Sequence, residues 1–343
     1  MSLSLPCKYA LFSDSEGPLC LNDNAFELAA HFIPDGDRLF ANLSAYDDYL
    51  VDVVHRPDYH GGDTLKLVLP FFKAYGITES AIREYSEKSV RWMPEAPAML
   101  KRVMGRMPVN VVTTSYEQFA LPMYKSLGLK EEQIFCTRLA LDGYHITDRE
   151  AAWLRQLAGE ILAMPVIDTH RLDQIFWEEI CRTNCAGLFQ NVTIMSGGRK
   201  AAVIAEWAKE KGIGLSGIMY AGDSITDAEA FELVRGGGGL GVSFNGNQFA
   251  LKKAEIACIS QTAAITGILA EAFADGGKNQ ALEVIKHIGQ DREFLTAELA
   301  GWGVNPKILP IIAIVTDDNI SSLLEQSLKM RKYLRGSQIG ALG

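Results

Sequence analysis

The sequence predicts an α/β protein: a doubly wound, Rossmann-like parallel sheet core with an inserted helical cap and a helical C-terminal extension. Three observations carry this expectation. Short β-rich runs alternate with helix-period stretches, an apolar run ends on two acids at Asp14 and Glu16, and a second apolar run ends on Asp223 with Asp227 close behind. A parallel sheet binds ligands at the carboxyl ends of its strands, where these acids fall.

The elements follow in chain order. Tyr9 to Ser13 reads as the first strand, and LFSDSEGPL sets two like charges at its end. Such a pair persists only where a cation, a reacting phosphoryl group or open water offsets the repulsion. Residues 22–106 carry helix-start signals at Asn22 and Asp23, Thr64 and Thr78, and are too long for a loop, so they form the cap. Within the cap Arg56, Tyr59 and His60 cluster beside two glycines, equally consistent with a substrate-closing loop and with a solvated one. Val109 to Thr113 is the second strand, and Ser115 to Glu117 is expected to open a helix whose N–H groups could face an anion. A helical insertion spans about residues 144–198, with Asp168 or Thr169 as a cap. Gly217 to Ala221 and Leu240 to Phe244 are further strands. The core thus comprises residues 1–21 and 107–265, and 266–343 is the helical extension, from which no chemistry is read.

With 48% hydrophobic and 22% charged residues in 343, the chain has a globular composition and a core of real size. Its net charge of -9 argues against nucleic acid as a partner, since phosphate-backbone binding needs clustered Lys and Arg. The six cysteines have no disulfide-framework spacing, and Cys181 and Cys185 lack further zinc ligands, so reduced thiols in a cytoplasmic protein are expected. The run Ile308 to Val315 is too short to span a bilayer. RGGGGLG contains a GxGxxG pattern, but between a helix and a strand, the reverse of the dinucleotide-binding order, so no such cofactor is expected. Exposed apolar positions on the terminal helices leave a homodimer open.

Asp14, Glu16, Gly17 and Leu19 resemble the DxDGTL signature of the haloacid dehalogenase-like phosphatases, and GDSITD resembles that superfamily's acidic motif. VNVVTT, ending at Thr113 and Thr114, is similar to its phosphate-binding strand, and Lys200 in GGRKAAVIAEWAKEKGI stands where its lysine does. The cadence is similar to the phosphoserine phosphatase branch, and DSEGPLCLNDNAFEL also resembles an archaeal subgroup of energy-converting hydrogenase subunits. The resemblance implies Mg²⁺-dependent hydrolysis of a small phosphate monoester. Asp14 would be the nucleophile, Thr113 a donor to the phosphoryl group and Lys200 a fixed charge. Metal would be held by Asp14, Asp223 and the backbone carbonyl of Glu16, with Asp227 orienting Lys200 or metal-bound water, and Thr114 and Ser115 as further phosphate contacts. Glu16 departs from the family's aspartate, and its extra methylene moves the carboxyl that should serve as acid and base. A non-catalytic or regulatory subunit is therefore the alternative.

Overall fold

The computed structural model describes residues 7–305, 307–336 and 339–341. Seven strands form one sheet in the order β3-β2-β1-β4-β5-β6-β7. They are β1 (Ala10–Ser13), β2 (Val109–Tyr116), β3 (Ile134–Thr137), β4 (Ile218–Gly222), β5 (Leu240–Phe244), β6 (Ile256–Ile259) and β7 (Ile311–Ile314). The first six are parallel, while β7 runs antiparallel along β6.

Strand alternation explains why both faces are covered. Leu11, Val109, Val111, Met219, Leu240 and Val242 enter one buried cluster, with the helices Ala96–Met104, Glu117–Lys125 and Ala264–Gln290. Ala10, Phe12, Val112, Ile218 and Tyr220 enter another, under the helices Gly198–Lys211 and Ala228–Gly236. Neighbouring residues of one strand thus serve opposite faces, the signature of a doubly wound sheet. The crossover from β2 through β1 to β4 reverses the winding between β1 and β4, where such sheets open a ligand crevice.

The helices Asn24–Phe32, Gly36–Tyr49 and Leu69–Ala74 pack with Asp148–Ala163 and Ala186–Asn191 into one apolar cluster outside the sheet. Two stretches separated by β2 and β3 therefore share a core. Sequence signals hold at several starts: the Asp23 side chain accepts from Phe26 N at 3.1 Å, Thr78 from Ala81 N at 3.1 Å, and Asp168 from Arg171 N at 3.0 Å.

The structure differs from the expectation in two places. Strand β2 continues to Tyr116, so the helix after it starts at Glu117 and Ser115 lies inside the strand. The extension is not wholly helical, because Ile311–Ile314 pairs with β6. Its β-branched residues suit a strand, and Ile312 is buried against the sheet.

Candidate active site

Strands β1 and β4 are neighbours in register, Ser13 beside Ala221, so the residues that follow each emerge side by side. The Asp14 amide donates to the Ala221 carbonyl at 2.8 Å, which fixes the nucleophile candidate against the strand that delivers Asp223. Gly17 is required by the same closeness. Its φ is +99°, and a Cβ there would lie 2.3 Å from Asp223 Oδ2.

Lys200 enters from the first turn of the helix Gly198–Lys211 and is fully buried. Its Nζ lies 2.8 Å from Asp14 Oδ2 and 2.7 Å from Asp227 Oδ1, and donates to Thr226 Oγ1 at 3.2 Å. Asp227 is held on every side: Tyr220 donates to its Oδ1, and the Asp223 and Ser224 amides donate to its Oδ2 at 2.8 and 3.0 Å. Both its oxygens are engaged, which suits it to orienting Lys200.

Among the described residues, Asp14, Asp223 and Asp227 place carboxylate atoms within 4.8 Å of one another. Such closely grouped hard oxygen donors fit Mg²⁺. Glu16 stands apart from that group. Its Oε1 accepts from the Asn24 amide at 2.7 Å, the first N–H of the helix Asn24–Phe32.

Burial dominates the electrostatics. It pushes Asp14 up to about 7, with the Lys200 charge opposing and Asp227 and Asp223 adding to it. Burial, with the Asp23 charge, pushes Glu16 up to about 8 against the Asn24 amide. Burial also works against a charged Lys200, yet Asp14 and Asp227 hold its pKa above the ordinary lysine value. Asp227 is equally buried, but Lys200, Tyr220 and the Ser224 amide keep it below the usual carboxylate range.

A cavity of about 90 Å³ opens on this group, lined by Asp14, Glu16, Thr114 and Asp223 from the sheet side and by Gly62 and Thr64 from the cap. Of the two threonines proposed for phosphate, Thr114 lines it. Thr113 is fully buried, accepts from the Ser115 amide and donates to Ser115 Oγ, both at 3.2 Å. The cap residues named from sequence are not among those lining the cavity, although Tyr59 bonds to Asp47, which is. Arg56 stacks over the Trp177 ring at 3.6 Å, Tyr59 donates to Asp47 Oδ1 at 2.6 Å, and His60 is exposed. Among the lining residues not foreseen are Arg331 and Arg335, from the helix Ile320–Arg335. Both pair with Asp223 Oδ2, Arg335 at 3.3 Å.

Neither a family model nor a curated protein matches the chain. A gene product from Archaeoglobus fulgidus of known structure superposes with a TM-score of 0.84 at 29% identity, over 98% of this chain and 99% of that one. A substrate-bound phosphoserine phosphatase complex superposes with a TM-score of 0.50 at 15% identity, covering 77% of this chain and 98% of that one. The fold is haloacid dehalogenase-like. A phospho-aspartyl intermediate analogue of phosphoserine phosphatase gives 0.47 at 15% identity, over 73% and 92% of the two chains. Asp14 and Asp223 stand at the carboxyl ends of β1 and β4. No helix among the described residues is long and apolar enough to cross a membrane.

Proposed function

We propose that the protein is a Mg²⁺-dependent phosphatase of the phosphoserine phosphatase-like branch, hydrolysing a small phosphorylated substrate through Asp14. One observation carries this reading: Lys200 Nζ sits within 2.8 Å of both Asp14 and Asp227, beside Asp223, although these residues come from three separate segments of the chain. A buried ammonium clamped between a nucleophile candidate and an acid pair suits charge-neutralised attack on a phosphate monoester. A cavity of about 90 Å³ favours a small reacting group.

A Mg²⁺ held by Asp14 and Asp223 would supply the charge that offsets repulsion between the carboxylate and the phosphoryl oxygens. The remaining steps belong to the chain. Asp14 attacks phosphorus, the bond to the substrate oxygen breaks, and Glu16 gives its proton to the leaving alkoxide. Glu16, now ionised, takes a proton from water. That water attacks phosphorus and breaks the bond to Asp14, releasing inorganic phosphate and restoring both carboxyl groups. Lys200 holds Asp14 in line and Thr114 offers a hydroxyl to the phosphoryl oxygens. The Asn24 amide holds Glu16 at the cavity wall.

Purified protein is incubated with an aryl phosphate and Mg²⁺ beside Asp14→Asn. Metal-dependent turnover lost in the variant is the expected outcome, and no turnover on a panel of phosphate esters defeats the reading. A second reading, a regulatory subunit that keeps the fold, is favoured by the guanidiniums paired with Asp223. The same panel separates the two.

A further inference from the structure

The helix Ile320–Arg335 buries a single stripe, Leu323, Ser327, Arg331 and Arg335, each four residues from the last. Its first half docks conventionally, Leu323 packing with Leu251, Ala257 and Ile259. Ser327 then donates to the Gly246 carbonyl at 2.6 Å. The second half drives two guanidiniums into the acidic site. Arg331 pairs with the Asp223 carboxylate and donates to its backbone carbonyl at 3.1 Å. Arg335 reaches Asp223 Oδ2 at 3.3 Å and donates to the Asn22 carbonyl at 2.8 Å. Both side chains are about 95% buried, and burying a guanidinium is costly unless carboxylates offset it.

Charge at the centre of the site then has a definite sum. With their carboxyls ionised, Asp14, Asp223 and Asp227 carry three negative charges, and Lys200, Arg331 and Arg335 three positive ones. Without the arginines, two negative charges would be left over, matching a divalent cation. With them the centre is neutral, and an arriving cation meets two guanidiniums across Asp223. Glu16 and Asp23 line the same cavity and add acid beside Arg335. Arg335 Nε is buried with no acceptor among the described residues, so the protein leaves part of that cation's donor capacity unused.

We propose that Arg331 and Arg335 are positioning residues that act as built-in countercharge, so that this site holds a divalent cation firmly only together with a phosphoryl dianion. The cation restores positive charge that the dianion then neutralises, and each tightens the other by the same factor. This inference rests on the metal-dependent phosphatase reading and assigns its site a coupling between cation and dianion.

The test follows free Mn²⁺ by electron paramagnetic resonance, with and without saturating inorganic phosphate, on the whole chain. Wild type should bind Mn²⁺ at least about tenfold more tightly with phosphate. Arg331→Gln/Arg335→Gln should bind Mn²⁺ at least about tenfold more tightly than wild type when phosphate is absent, and should lose most of the coupling. Arg331→Lys/Arg335→Lys, which keeps the charge, should behave as wild type. Equal wild-type affinity with and without phosphate overturns the proposal, a result that requires no variant to fold. Unchanged or weaker binding by the glutamine pair overturns it as well. Asp223→Asn distinguishes the two levels. If it abolishes Mn²⁺ binding while the arginine variants change nothing, the phosphatase reading stands and this inference falls. If it leaves Mn²⁺ binding intact, the ion is not at this site and both fall.

Discussion

At the scale of single residues, the site is held by contacts that tolerate no extra atom. Gly17→Ala would place a Cβ 2.3 Å from Asp223 Oδ2 on a backbone with φ of +99°. It should cost about 1–3 kcal/mol in urea denaturation and remove turnover, and a stability equal to wild type would show that the loop relaxes freely. Asp47, on the cap side of the cavity, gives a pH signature of its own. It is buried, accepts from Tyr59 and from the Gly62 amide at 3.0 Å, and burial pushes it up to about 7. The unfolded chain ionises this group near 3.8, whereas the folded protein keeps its proton until about 7, so stability falls as pH rises between those values. Asp47→Asn keeps the shape without the charge, and its gain over wild type should grow from pH 5 to pH 8, reaching about 1–4 kcal/mol. Parallel profiles for the two proteins would rule the explanation out.

The scale of elements is where sequence reading and structure part company. Asp14, Asp223 and Asp227 were legible because strand ends place them without reference to distant contacts, and Lys200 through the resemblance of its motif. Thr114 was not separable from Thr113, since a strand read three residues short hides which side of the alternation faces the cavity. Arg56, Tyr59 and His60 look like a substrate cluster in sequence, but Trp177 and Asp47, far along the chain or on another helix, claim the first two. Arg331 and Arg335 were missed because an arginine on an amphipathic helix ordinarily reads as solvated. The signal was the four-residue spacing from Leu323 through Ser327. Strands β3 and β6 are four residues each, as short as β1, but lack the acids at their ends that singled β1 out. Strand β7, at the sheet edge, exposes Ile311 and Ile314. Ile314→Lys should leave stability within about 0.5 kcal/mol and reduce aggregation on heating, read by light scattering. Increased aggregation would argue that the edge is protected otherwise.

At the scale of the whole molecule, the helical unit outside the sheet is built from two stretches that must fold together. Phe176 is fully buried among Tyr46, Phe71 and Phe189, with ring centroids 5.9, 6.2 and 5.9 Å away. Phe176→Ala should cost about 3–5 kcal/mol. In hydrogen exchange, amides of Leu69–Ala74 and Asp148–Ala163 should lose protection together. Loss confined to one stretch would mean the shared core is not one cooperative unit.

The reach of Arg331 to Asp223 also bears on synthesis at the ribosome. The sheet can begin to assemble once β4 has emerged, but Asp223 then waits for more than a hundred further residues before its guanidinium partners leave the tunnel. Until that moment the nascent chain carries three clustered carboxylates that only Lys200 opposes.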